Sequence, residues 1–144
     1  MRSVKHAFRR MLSSLVPLTA MGTSINALAE TFAMIGTGNV GSALGKRFTQ
    51  LGHTAVYGSR DLSRDSVQAL VAETGGGATA TTPAEAVLGA DFVVLAVPWN
   101  AVEAVIQNLG DLSGKLVIDP TNPRVRAADG LYDSPLATSN AAMV

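Results

Sequence analysis

The stretch Thr31-Phe32-Ala33-Met34-Ile35-Gly36-Thr37-Gly38-Asn39-Val40-Gly41 decides the fold. An apolar run of strand length breaks into a glycine-rich turn, after which Val40, Ala43, Leu44, Phe48 and Leu51 recur at the spacing of one helical face. The three glycines of this G-x-G-x-x-G pattern have separate tasks. Gly36 lets the chain leave the strand in a tight turn, Gly38 removes a side chain that would hold a pyrophosphate off the backbone, and Gly41 lets the helix lie close on the sheet. The N–H groups that open such a helix lack intrahelical acceptors and favour an anion. Gly36, Thr37, Gly38, Asn39, Val40 and Gly41 are therefore the candidate phosphate-binding residues. A glycine turn that merely joins strand to helix would show the same three glycines. The apolar strand before it and the amphipathic helix after it select the nucleotide reading.

Working outward, the 144 residues suffice for one domain, and 47% apolar with 15% charged residues is the composition of a chain that buries a core. Formal charge is zero, but the first 29 residues hold Arg2, Lys5, Arg9 and Arg10 and no acid, leaving seven basic and eleven acidic residues beyond them. That acidic remainder argues against nucleic acid as a partner. The absence of cysteine excludes disulfides, thiolate catalysis and Cys-ligated zinc.

Upstream of the glycine loop, basic residues through Arg10 precede a moderately apolar stretch from Met11 to Ile25 and then Ala27-Leu28-Ala29, small residues at alternate positions. This is the layout of a signal peptide over residues 1–29, cut after Ala29, and implies export to the periplasm or beyond. Arg9-Arg10 followed by Met11-Leu12 faintly resembles a twin-arginine signal, with Phe8 where that motif usually has Ser or Thr. Ordinary secretion is one alternative, and an uncleaved amphipathic extension on a cytoplasmic protein is another. Pro17, Gly22 and several Ser and Thr make the stretch too short and polar to span or stably enter a membrane.

Downstream, Gly52 stops the first helix and His53 sits in the turn before a strand, Thr54 to Tyr57. A single histidine at such a turn reads as solvated structure rather than as a catalyst. The end of this second strand is where a dinucleotide fold reads the adenine ribose. An NAD site would place Asp or Glu there for the 2′-hydroxyl, but Gly58-Ser59-Arg60 occupies the place. A hydroxyl and a guanidinium suit a 2′-phosphate, and Arg64 adds a second positive charge, so Ser59, Arg60 and Arg64 favour NADP over NAD and FAD. The alternative is a solvated loop in which Asp61 or Ser63 caps the next helix.

That helix carries Val67, Leu70 and Val71 and ends before Gly75-Gly76-Gly77; a brief edge strand around Ala78 to Ala80 follows. Thr82-Pro83-Ala84-Glu85 reads as a capping box with proline at the first helical position, opening a short helix that stops at Gly89. Phe92 to Val97 is an unbroken apolar run, as expected of a central parallel strand covered on both faces. Its end, Val97-Pro98-Trp99, is expected beside the glycine loop, where strand order reverses and the crevice holds ligand. Trp99 either walls a nicotinamide pocket or packs under the next helix, whose core face is Val102, Val105, Ile106 and Leu109 with Gly110 as its stop. Leu116 to Ile118 is the next strand, and Asp119-Pro120-Thr121-Asn122-Pro123 forms a rigid loop at its carboxyl end. Residues 124–144 show no sustained apolar period and read as an irregular tail.

Taken together, Met34 to Gly41, Gly58-Ser59-Arg60, Val94 to Trp99 and Lys115 to Pro123 resemble the deazaflavin (coenzyme F420)-dependent NADP oxidoreductase family over about residues 31–123. The resemblance implies that the first loop and helix start bind the pyrophosphate and that Ser59, Arg60 and Arg64 bind the 2′-phosphate. It places Val97, Pro98 and Trp99 on the nicotinamide side. It implies direct hydride transfer between NADP(H) and a deazaflavin or flavin-like acceptor, each cofactor supplying its own chemistry, with no catalytic acid or base and no metal. Family members continue well beyond this point, which leaves open a non-catalytic dinucleotide-binding module. The expected fold is α/β, a doubly wound, Rossmann-like, mainly parallel sheet of order 3-2-1-4-5 in a single domain over residues 30–123. An edge left uncovered in so small a domain would be remedied by a homodimer.

Overall fold

The computed structural model describes residues 28–123, 125–126, 128–130 and 132–133. The residues of the expected leader up to position 27 lie outside the described residues.

Among the described residues, strands and helices alternate through β1 (Thr31–Ile35), α1 (Asn39–Gln50), β2 (Thr54–Gly58), α2 (Asp65–Thr74), β3 (Thr79–Thr81), α3 (Pro83–Leu88), β4 (Phe92–Leu95), α4 (Val102–Ile106) and β5 (Leu116–Ile118), and two short strands follow, β6 (Val125–Arg126) and β7 (Tyr132–Asp133). Strands β1 to β5 form one all-parallel sheet of order β3-β2-β1-β4-β5, with Thr31 opposite Thr54 and Phe32 opposite Phe92 fixing the central register. The fold is thus the doubly wound, Rossmann-like α/β domain expected.

Period-two alternation along the central strands divides their side chains between two faces. Phe32 and Met34 of β1 join Val94, Ala55 and Tyr57 in a core covered by Leu44 and Phe48 of α1 and Leu70 of α2. Ala33 and Ile35 join Val93 and Leu95 in a second core closed by Ala86, Val87, Val102 and Leu109 from α3, α4 and the turn after α4. Val93, Val94 and Leu95 are fully buried, as a strand sandwiched between helices must be. The capping box is formed: Thr82 accepts from the Glu85 amide while the Glu85 carboxylate accepts from Thr82.

Three local expectations are corrected. Val40, Ala43 and Leu51 do not face the sheet; Val40 and Leu51 are 47% and 57% exposed, and Ala43 is exposed too. The inner line of α1 is Gly41, Leu44, Gly45 and Phe48. Two glycines a turn apart bring the helix backbone close, and a Cβ on Gly45 would strike the Tyr57 ring. Strand β4 ends at Leu95 rather than Val97, because the Ala96 amide turns back to the Val94 carbonyl at 3.0 Å and carries the chain out over Gly36. The stretch expected to be wholly irregular contains the short antiparallel pair β6 and β7, strands of two residues that are too brief to show a period.

Candidate functional site

A parallel sheet presents all its carboxyl ends along one edge, so the loops after β1, β2, β4 and β5 meet there. The crossovers run to opposite sides at the β1/β4 boundary, and the glycine loop lies at that boundary. Gly36 has φ of +111°, and a Cβ there would collide with the Ala96 carbonyl and sit 3.2 Å from Val97 Cγ1. Gly41 is equally committed, because a Cβ there would collide with the Gly36 carbonyl and lie 3.2 Å from the Ala96 Cβ. The chain just after β4 therefore presses against the loop, through Ala96 and Val97.

Gly38 differs from both. It is the exposed N-cap of α1, with φ of −76°, and a Cβ there would have nothing within 4 Å. The space beside it is open to solvent. The first bond of α1 is from the Ser42 amide to the Gly38 carbonyl at 2.9 Å. No side chain caps the helix and no acid lies in its first turn. The amides of Asn39, Val40 and Gly41 thus keep the orphan donors and positive dipole end that suit phosphate oxygens. Thr37 is half-buried within the same turn.

The loop after β2 is more ordered than its sequence suggests. Ser59 is only 8% exposed; its amide donates to the Thr81 carbonyl, and its hydroxyl donates to the Asp61 carbonyl at 3.0 Å and accepts the Asp61 amide. A phosphate bound by Ser59 would have to exchange that bond. Asp61 neither caps α2 nor stands free. Its carboxylate accepts from the Ser63 hydroxyl at 2.7 Å and the Ser63 amide at 3.0 Å, and those bonds hold its pKa below the usual carboxylate range. The N-cap of α2 is Arg64, whose side chain makes no capping bond. Arg60 and Arg64 are both exposed and carry no ion pair among the described residues. Asp61 puts a negative charge in the same loop, bonded to Ser63.

Beyond β4, Pro98 is exposed and leads a single 3-10 turn over Trp99–Ala101. Trp99 is half-buried and packs against the core that α3 and α4 close. Packing beside the following helix, one of its two expected placements, is present. In the last loop the Asp119 carboxylate accepts from the Thr121 amide at 2.9 Å and from its hydroxyl.

His53 lies at the opposite end of the sheet, where β1 and β2 begin, and is half-buried rather than solvated. Its ring meets Phe32 edge-on at 5.2 Å, and Nδ1 accepts the Glu30 amide at 3.3 Å. It belongs to the packing of the sheet floor, which the isolated histidine in the sequence did not reveal.

The family model described as NADP oxidoreductase, coenzyme F420-dependent, matches residues 31–123. A proposed F420-dependent NADP reductase from Arthrobacter sp. FB24 is 26% identical, with a TM-score of 0.68 over 77% of this chain and 54% of its own. A hypothetical protein of Sinorhizobium meliloti, SMa0349, is 27% identical, with a TM-score of 0.66 over 79% of this chain and 54% of its own. A reductive aminase from Aspergillus terreus, solved with NADPH and ethyl-5-oxohexanoate, is 25% identical, with a TM-score of 0.53 over 65% of this chain and 32% of its own. The chain spans about half the length of the first two.

Proposed function

The chain belongs to the coenzyme F420-dependent NADP oxidoreductase family, and from that premise we propose that it binds NADP(H) and moves hydride between the nicotinamide and a deazaflavin or flavin-like acceptor. The observation that carries the reading is the uncapped start of α1 behind an open Gly38, beside two exposed guanidiniums at the end of β2. Asn39, Val40 and Gly41 would hold the pyrophosphate by their amides, and Gly36 and Thr37 would shape the turn beneath it. Arg60 and Arg64, with Ser59 beside them, would hold the 2′-phosphate that distinguishes NADP from NAD. Val97, Pro98 and Trp99 would border the nicotinamide side.

When bound, the nicotinamide supplies the hydride chemistry; the chain's own residues bind, orient and exclude water. The test is turnover. NADPH oxidation followed spectroscopically on adding coenzyme F420 or a flavin supports the reductase reading, and NADPH binding without oxidation by any such acceptor favours the second reading. That second reading, a dinucleotide-binding module without turnover, draws on the fold, which serves binding and turnover alike.

The leader layout of residues 1–29 supports export, by the twin-arginine route or by ordinary secretion, with a cytoplasmic protein as the alternative. Among the described residues no helix is long and apolar enough to cross a membrane. For assembly we propose a homodimer through the β5 edge, where Leu116 and Val117 are 56% and 38% exposed. A monomeric mass by light scattering at micromolar concentration contradicts it.

A further inference from the structure

We infer that the Ala29–Glu30 peptide bond is a processing site and that the α-amino group its hydrolysis creates at Glu30 is held by His53. The inference rests on the export reading and is independent of the dinucleotide site. Two unrelated features coincide at this bond. In the sequence, Ala27 and Ala29 are the small residues that a signal peptidase accepts on the amino side of its cut. In the structure, the next residue is hydrogen-bonded to the sheet while Leu28 and Ala29 are exposed.

Leu28 is 81% exposed and Ala29 is exposed, whereas Glu30 is the first of the described residues tied to the sheet. Its amide donates to His53 Nδ1 at 3.3 Å, and its carbonyl accepts the Thr54 amide at 2.9 Å. One residue on, the Thr31 amide donates to the Asp91 carboxylate at 2.8 Å. Leu28 and Ala29 thus stand clear of the domain, while the residue that becomes the new terminus already has its place. A folded domain carried to the peptidase would not need to lose a strand to be cut.

The reaction is hydrolysis by a signal peptidase. Water adds across the amide, Ala29 leaves with the carboxylate, and Glu30 keeps the nitrogen as an amine that protonates to ammonium. A single N–H donor becomes three. One remains directed at His53 Nδ1. His53 is itself held by the edges of Phe32 at 5.2 Å and Phe48 at 6.4 Å, so the acceptor is fixed in place before the cut. A terminus bound at both its nitrogen and its carbonyl is withheld from aminopeptidases, which need a free, extended end.

The experiment expresses the full chain in a bacterium that has both export routes, separates periplasm from cytoplasm, and reads the amino terminus by intact mass. The exported chain is expected to begin at Glu30. The purified product is then exposed to a broad-specificity aminopeptidase beside H53F, which keeps an aromatic ring but no acceptor, and H53Q, which keeps an acceptor. Loss of Glu30 is expected to be about tenfold faster in H53F than in the parent, the factor that one charge-assisted hydrogen bond supplies. H53Q is expected to stay near the parent. An exported chain that begins elsewhere overturns this inference alone. An uncut cytoplasmic chain overturns it together with export. Equal trimming of all three proteins overturns the role of His53.

Discussion

Replacing Gly38 by alanine separates binding from folding, because the structure assigns this glycine no packing task. Its φ of −76° is open to any L-residue, and the added Cβ meets nothing within 4 Å. Alanine is a poorer N-cap than glycine, a loss of roughly 0.5–1 kcal/mol. It also removes freedom from the unfolded chain, a gain of about 0.4–1 kcal/mol. The two nearly cancel, so G38A should unfold within about 0.5 kcal/mol of the parent in urea. Binding is a different matter, since the proposed function has the pyrophosphate approach the amides of Asn39 and Val40 through the open space over Gly38. Displacing one phosphate oxygen from an amide forfeits a charge-assisted bond of about 1.5–3 kcal/mol, roughly a 10- to 100-fold rise in the NADPH dissociation constant. Calorimetric titration of both proteins, with urea unfolding as the control, reads the two quantities separately. A G38A protein that binds NADPH as tightly as the parent would refute the placement of the pyrophosphate.

The other expectations concern charge and packing. R60A should weaken NADPH by roughly 10- to 100-fold by loss of a guanidinium–phosphate bond, while leaving NADH nearly unchanged. Equal losses for the two cofactors would refute the ribose assignment. G45A puts a Cβ 2.7 Å from Tyr57 Cζ, a buried ring bonded to Thr74, and should lower stability by about 1–3 kcal/mol less a helix gain of about 1 kcal/mol. Pairing it with Y57F, which removes the hydroxyl nearest that Cβ, should recover part of the loss in thermal unfolding. The carboxylates of Glu85 and Glu73 are lowered by the Thr82 and Lys46 bonds, respectively. A depressed folded pKa stabilises above the unfolded value and loses that stability as pH falls, so the thermal midpoint should decline below about pH 4.5, and T82A should reduce the Glu85 share of that decline.

How much of this was legible before the structure depends on which atoms do the work. Side chains that act by their bulk were readable. The run from Thr31 to Ile35, the run from Phe92 to Leu95 and the Thr82 to Glu85 box appear where periodicity and capping chemistry place them. The contact face of α1 was not, because Gly41 and Gly45 act by lacking a side chain and apolar spacing counts only side chains. The exposed Val40, Ala43 and Leu51 then filled the pattern instead. The ribose loop shows the same limit. Arg60 and Arg64 are exposed, as long cations in a loop should be, but the bonds of Ser59 to Asp61 and of Asp61 to Ser63 depend on loop dihedrals that residue identity alone leaves open. The early end of β4 has a similar cause, since Ala96 and Val97 are apolar whether in a strand or turned over Gly36.

The most direct test of the central claim is a calorimetric titration of the full chain with NADPH and, separately, with NADH, at fixed salt and neutral pH. Saturable NADPH binding at one site per chain, at least about tenfold tighter than NADH, is the predicted result. Binding of neither dinucleotide, or a preference for NADH, would contradict it.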